Sequence, residues 1–498
     1  MVLMVQSNII PNWLIKRAYL TPNRPAIFFH NYTMTFQQLF DEAKTVAEKL
    51  HHVGVQIGDR IGVLLNNHPE TIVLLHGLQL LGCETVLLNI RLQDEELLYQ
   101  LNDSEAIFLI SNEKLIEQHN GLKNQWDHPI ISIEQLRQEK EKSFPLTEQF
   151  TMDDLCTIMY TSGTTGHPKG VMQTYGNHWW SAIGSVINLG LHEGDAWLCA
   201  VPLFHISGYS ILIRSVLYGI PVILFEKFDE EAINETLISG KATIISVVTA
   251  MAQRMLQQLG NRSYHPNFRC MLLGGGGVPL SLLETCKEKE IPVFQTYGMT
   301  ETASQIATLS PEDSLSKLGS AGKPLFFSQL QIVKEGVQAK PTEIGEIYVK
   351  GPNVTRGYWK REDANRESFT VDGWLKTGDM GYMDEEGYLY IVDRRTDLII
   401  SGGENIYPAE IEQIILSHPH VKEAAVVGVF DAQWGQIPMA FYVVKEGKNV
   451  DEGELIRLCR EHLAKYKVPK RWIQLNELPK NASNKVLKRL LRKWVENE

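Results

Sequence analysis

Apolar runs of two lengths alternate along the first half of the chain. "RIGVLLNN" (60–67) has strand length, and the longer "PETIVLLHGLQLLG" (69–82) follows it. Pro69 suits the first turn of a helix and Gly82 stands just past its end, so the spacing predicts a helix over 69–81. "ETVLLN" then returns to strand texture. The alternation recurs in "ELLYQLND" and "AIFLIS", in "KATIISVV" and "TAMAQRMLQQL", and in "RCMLLG", "LSLLETCKEKE" and "IPVFQTYG". Such units predict an α/β fold of mostly parallel sheets covered by helices.

From about Leu318 the pattern shortens to strands and turns: "GEIYVKG", "GWLKTGD" and "MGYMDEEGYLYIVD", with "DEEG" as a hairpin turn. After Asp393 the texture is mixed. "EAAVVGVF" and "MAFYVV" read as strands, "DEGELIRLCREHLAKY" and "KVLKRLLRKW" as helices. The predicted division is a large N-terminal domain over 1–392, β-rich from about 318 to 392, and a small α+β domain over 393–498. A chain of 498 residues exceeds one ordinary core, in keeping with two domains.

Composition narrows the function. A net charge of −11 argues against general nucleic-acid binding, which needs a basic footprint. The balance is uneven, however: from Arg460 to Glu498 eleven Lys/Arg stand against four Glu. That stretch is either a solvated helix face or a lid that meets anionic ligands. Six cysteines (Cys83, Cys156, Cys199, Cys270, Cys286, Cys459) form no C-x-x-C pair and read as buried thiols of a reducing compartment. The N-terminus has no basic residue ahead of its apolar part. The longest apolar run, "YSILIRSVLYGIPVILF", is interrupted by Arg214 and is too short to cross a bilayer. A cytoplasmic protein is expected.

Candidate chemistry begins at "MYTSGTTGHPKGV" (159–171), where three glycines, a lysine and five hydroxyl residues fall within thirteen positions. Glycines bring backbone N–H groups close to a ligand, and hydroxyls and a lysine add donors around phosphate. The Walker spacing fails, because Pro168 stands where its second glycine belongs and Gly170 follows Lys169. Both flanks read as strands. "GGGGVPL" (274–280) and "YGMTET" (297–302) each follow a strand, where open α/β sheets bind ligands.

"YTSGTTGHPKG", "PLFHISG", "YGMTE", "TGD", "DRRTDLIISGGENIYP" and "PKNASNKVLKRLL" occur in that order. The ordered set resembles the acyl-adenylate-forming superfamily of acyl- and aryl-CoA ligases, luciferases and peptide-synthetase adenylation domains, over essentially the whole chain. The resemblance implies ATP, Mg2+ and a thiol: a carboxylate attacks the α-phosphorus, pyrophosphate leaves, and the thiol displaces AMP. Thr161, Ser162, Gly163, Thr164, Thr165, Gly166 and Lys169 would cradle the β- and γ-phosphates. Thr300 would bond the α-phosphate and Glu301 would hold Mg2+, a hard cation suited to carboxylate oxygen. Gly274, Gly275, Gly276 and Gly277 would lie against adenine with Tyr297 nearby, and Asp379 and Arg394 would take the ribose hydroxyls. His205 would line the gate between acid pocket and thiol tunnel. Lys485 would neutralise charge between carboxylate and α-phosphate. The residue before it is usually glycine in the superfamily and here is Asn484, which tolerates left-handed backbone better than most. The small domain would act as a mobile lid hinged at Asp393, withdrawing Lys485 and bringing in Gly402 and Gly403 for the second step.

The chain as given carries no carrier-protein domain after Glu498, so coenzyme A is the expected acceptor. "QTYGNHWWSAIGS", "PLFHISGYSILIRSV" and "QTYGMTETASQI" look most like the 2-succinylbenzoate–CoA ligases of menaquinone biosynthesis. An aromatic dicarboxylic acid is then the expected substrate. Its second carboxylate calls for a cation or several donors. Arg214 is the candidate, with Ser207 as a further donor; a protein carboxylate for Arg214 stands as the alternative. A fatty-acid or other aryl-acid CoA ligase and a non-catalytic adenylate binder remain open, as does an assembly of identical chains.

Overall fold

The helix Pro69–Leu81 forms where its flanks place it: Pro69 sits in the first turn and Gly82 closes it in left-handed backbone at φ 78°. Every residue but Glu70 is buried, and a helix apolar on all sides must be covered on all sides. The cover comes from the helix Phe36–His52 and from the first sheet. The computed structural model of the chain describes residues 8–162, 168–274, 278, 280–393, 398–479 and 486–496.

Three larger sheets organise the described residues. In the first, Leu155–Ser162, Glu84–Leu87, Arg60–Leu64, Phe108–Ser111 and Ile130–Ser132 run parallel, and Pro168–Thr174 closes one edge antiparallel. The second has a parallel centre of Val293–Met299, Cys270–Gly274, Ile244–Val248, Trp197–Cys199, Val222–Leu224 and Pro25–Phe29. Helices cover these strands, as the alternating pattern predicts.

The β-rich part does not form a sheet of its own. Val293–Met299 pairs antiparallel with Ser304–Leu309, and the same sheet continues through Ser320–Pro324, Leu389–Asp393, Leu375–Met383 and Gly345–Lys350. The change from parallel to antiparallel therefore precedes Leu318. "MTETAS" holds no glycine, proline or asparagine to announce that reversal. Ala303 and Ser304 make it instead, at φ 51° and 114°, a backbone that costs non-glycine residues about 1–3 kcal/mol each.

Leu389–Asp393 is the last strand of the long sheet, and residues 394–397 lie outside the described set. The third sheet gathers Glu404–Ile406, Ile399–Ser401, Gly435–Val444, Val421–Asp431 and Arg471–Gln474. The helices Pro408–Ser417, Glu452–His462 and Lys488–Glu496 accompany it. All six cysteines are buried and unpaired. Among the described residues no helix is long and apolar enough to cross a membrane.

Candidate functional site

The glycine-rich motif is a hairpin: Leu155–Ser162 and Pro168–Thr174 pair antiparallel, with Lys169 opposite Thr161. Gly163, Thr164, Thr165 and Gly166 at its tip, and the Ser162 side chain, lie outside the described residues. The Lys169 ammonium stands 5.3 Å from the centre of the Tyr358 ring. The Tyr358 hydroxyl donates to Glu301 Oε1 at 3.0 Å. Glu301 is buried on the short turn Thr300–Thr302, which Gln173 fastens by donating to the Thr300 carbonyl. One strand earlier, Tyr297 donates to Asp379 Oδ2 at 2.6 Å, and Asp379 is itself buried. The structure thus joins Lys169, Glu301, Thr300, Tyr297 and Asp379 through Tyr358 and the strand Val293–Met299.

These groups fit magnesium nucleotide by their chemistry. Among the described residues no cluster of three His, Cys, Asp or Glu is built to hold a metal. A single buried carboxylate is what Mg2+ uses when phosphates and water complete its shell. Gly274 ends its strand beside Thr296, whose methyl a Cβ there would meet at 3.2 Å; Gly275, Gly276, Gly277, Arg394 and Lys485 lie outside the described residues.

His205 and Arg214 share the helix Ile206–Tyr218, His205 as its N-cap. Nine residues of helix rise set Arg214 about 13 Å deeper. Arg214 is 1% exposed. Its Nη2 makes two long bonds, to Ser304 Oγ at 3.3 Å and Gln305 Oε1 at 3.4 Å, and the guanidinium lies over the Trp197 ring at 5.1 Å. Nε has no hydrogen-bond partner among the described residues. No Asp or Glu there touches Arg214, so the protein carboxylate alternative finds no support. Burial lowers the guanidinium's pKa, with Tyr218 and Cys270 opposing.

Ser207 parts company with Arg214. With His205 it lines a cleft of about 1580 Å3 that neither Arg214 nor Lys169, Thr300, Glu301, Tyr297 and Asp379 border. Gly402 and Gly403 line the same cleft from the small body, at φ 57° and 88°. A Cβ on Gly402 would stand 2.7 Å from the Trp434 ring, and one on Gly403 would meet Val248 at 3.8 Å.

Glu404, next in sequence, lines the same cleft. Its Oε2 lies 3.0 Å from His205 Nε2 and accepts from Asn89 at 2.9 Å, while Oε1 takes Arg91 at 2.6 Å. Burial pushes the Glu404 carboxyl up, but His205, Arg91 and Asn89 outweigh it and hold it below the usual carboxylate value. Sequence reading missed Tyr358, Gln173, Glu404 and Trp434. Only Glu404 carried a signal, being a carboxylate directly after a glycine pair.

Residues 14–359 match the AMP-binding enzyme family and residues 410–485 match the AMP-binding enzyme C-terminal domain. A 2-succinylbenzoate–CoA ligase of Geobacillus kaustophilus is 54% identical over 486 residues, 98% of each chain. A double mutant of the o-succinylbenzoate CoA synthetase of Bacillus subtilis, bound with its product analogue, superposes with a TM-score of 0.93 at 48% identity, covering 98% of this chain and 99% of that one. The same synthetase with ATP and magnesium ion gives 0.76 at 48% identity, over 97% and 99%.

Proposed function

This chain belongs to the AMP-binding enzyme family, and from that premise we propose that it is a 2-succinylbenzoate–CoA ligase of menaquinone biosynthesis. It joins 2-succinylbenzoate to CoA and splits ATP to AMP and diphosphate. The observation that carries the substrate is Arg214, a buried cation that no Asp or Glu among the described residues touches. An unpaired ion in such a place is costly, and the succinyl carboxylate of the substrate supplies the missing partner. Ser304 and Gln305, which already face the guanidinium, add donors and acceptors beside it. A fatty acid offers no second carboxylate and leaves Arg214 unpaired.

In the first half-reaction the benzoate carboxylate attacks the α-phosphorus and diphosphate leaves. Thr161, Ser162, Lys169 and the glycine-rich tip bind the departing phosphates, and Thr300 donates to the α-phosphate. Asp379, oriented by Tyr297, accepts from the ribose. Magnesium, when bound at Glu301, offsets phosphate charge. Lys485 steadies the charge gathering at the reacting oxygens. In the second half-reaction the CoA thiol attacks the acyl carbon and AMP leaves; Gly402 and Gly403 let the pantetheine arm run against backbone. Residues 1–392 hold the adenylate while residues 393–498 turn about Asp393 between the steps. Lys465 and Lys470 border the cleft without an ion pair among the described residues and suit the phosphates of CoA.

The test is diphosphate release with Mg-ATP and CoA against 2-succinylbenzoate, benzoate, octanoate and palmitate. Strong preference for 2-succinylbenzoate is expected. Preference for a monocarboxylate would retain the adenylation chemistry and remove the substrate assignment.

A further inference from the structure

Most of the polar contacts between the large and small bodies, among the described residues, fall on residues 89–96. Asn89 and Arg91 hold Glu404, and Glu95 Oε2 lies 2.9 Å from His462 Nδ1. Glu96 accepts from the Ala464 backbone N–H at 3.0 Å and pairs with Lys467. Only this last pair is deeply buried. The side chains of Lys467 and Glu96 are 4% and 9% exposed, against 35% and 63% for His462 and Glu95. Lys467 Nζ also lies 2.8 Å from Glu410 Oε1, within its own body. One ammonium is therefore shared by two carboxylates that come from different bodies.

The arrangement is built to form and part. Glu96 Oε2 also accepts from the Gln93 N–H at 2.8 Å, closing the capping box of the helix Asp94–Ser104. That bond fixes the carboxylate before the small body arrives, so little side-chain freedom is lost on docking. On parting, Lys467 keeps Glu410 and Glu96 keeps its cap, and no buried ion is stranded. Burial alone would lower the Lys467 pKa, yet Glu410, Tyr466 and Glu96 hold it above its ordinary value. The ammonium is charged and available to the latch at any working pH.

We propose that Glu96 is a positioning residue for thioester formation: through Lys467 and the Ala464 N–H it holds the small body where Gly402 and Gly403 line the cleft. The proposal rests on the two-step ligase reading of the site. It assigns Glu96 no part in adenylate formation, for which the small body must sit elsewhere to present Lys485.

The test uses the full chain carrying Glu96→Gln, which keeps the side chain's size and its carbonyl oxygen while removing the charge. Two rates are measured apart: diphosphate release from Mg-ATP and 2-succinylbenzoate without CoA, and single-turnover thioester formation from supplied 2-succinylbenzoyl-adenylate and CoA. The second is expected to slow about tenfold, the effect of losing one charge-assisted pair, while the first stays within about twofold. Glu96→Asp, which retains the charge, should recover part of the loss; if Glu96→Gln does not fold, Glu96→Asp alone is held to the same comparison. Equal slowing of both rates, or an unchanged thioester rate, overturns the proposal. The comparison is internal, so it runs on any acid the wild type adenylates. A wild type that releases no diphosphate with 2-succinylbenzoate would fault the substrate assignment alone.

Discussion

Arg214→Met separates a substrate-binding cation from a structural one. Methionine keeps an unbranched side chain of similar reach and removes the charge. Truncating one partner of a buried, hydrogen-bonded charge pair costs about 2–5 kcal/mol of binding. Taking about 3 kcal/mol, at about 1.4 kcal/mol per decade, kcat/KM for 2-succinylbenzoate should fall roughly 150-fold. Benzoate offers the guanidinium nothing, and its rate should change by no more than about threefold. Stability should move the other way. Among the described residues Arg214 has two bonds of 3.3 and 3.4 Å and no carboxylate partner. Replacing buried ions by apolar groups of similar volume is often neutral or stabilising by about 1–4 kcal/mol, so Tm should hold or rise. The assay is diphosphate release against both acids, with melting curves of the two proteins. Equal losses on both acids together with a lower Tm would refute the reasoning and make Arg214 a brace for the turn at Ser304.

Three further outcomes are expected. Lys485→Ala should abolish diphosphate release yet still convert supplied acyl-adenylate and CoA to thioester; equal loss of both steps would count against the alternating small domain. Gly402→Ala places a Cβ 2.7 Å from Trp434 on backbone at φ 57°, a left-handed residue costing about 1–2 kcal/mol; KM for CoA should rise about tenfold with adenylate formation unaffected, as separate half-reaction assays will show. Burial lowers His76 to about 4 and His178 to about 3, against about 6.5 when unfolded. Below pH 6.5 the unfolded chain then binds protons that the folded one does not, so stability is full above that pH and is lost as pH falls, on the order of 6 kcal/mol by pH 4. Urea midpoints at pH 7 and pH 4.5 should diverge, and a His76→Gln/His178→Gln variant should narrow that gap; a gap unchanged in the variant would contradict the assignment.

The parts of the fold that local rules decide were legible. Pro69 and Gly82 bracket a helix because one lacks an N–H that is not needed and the other accepts positive φ. The hairpin around Lys169 showed in its β-rich flanks. What stayed hidden depended on residues acting against type. The reversal after Met299 uses Ala303 and Ser304 in backbone they rarely adopt, and the β-rich part consequently joins the long sheet unannounced. Tyr358 lies 57 residues from the Glu301 it bonds, and no local pattern marks a tyrosine for that use. Ser207 and Arg214 share a helix, so sequence spacing suggests one pocket. They are seven residues apart, almost two turns. Ser207 borders the cleft, whereas Arg214 is buried at the turn of Ser304.

The division of labour proposed for the two bodies follows from which residues each one carries. Lys169, Thr300, Glu301, Tyr297 and Asp379 all stand on the two large sheets and their connections, bound to one another and to Tyr358 by contacts within the large body. That cluster is therefore held together by contacts within the large body. Gly402 and Gly403 belong to the third sheet, and their loop reaches the cleft through Glu404. That carboxyl is held ionised by His205, Arg91 and Asn89, so docking is attractive across the neutral range. Its partner His205 caps the helix that carries Arg214. Glu404 of the small body and His205 of the large body are thus one hydrogen-bonded unit, joined at 3.0 Å.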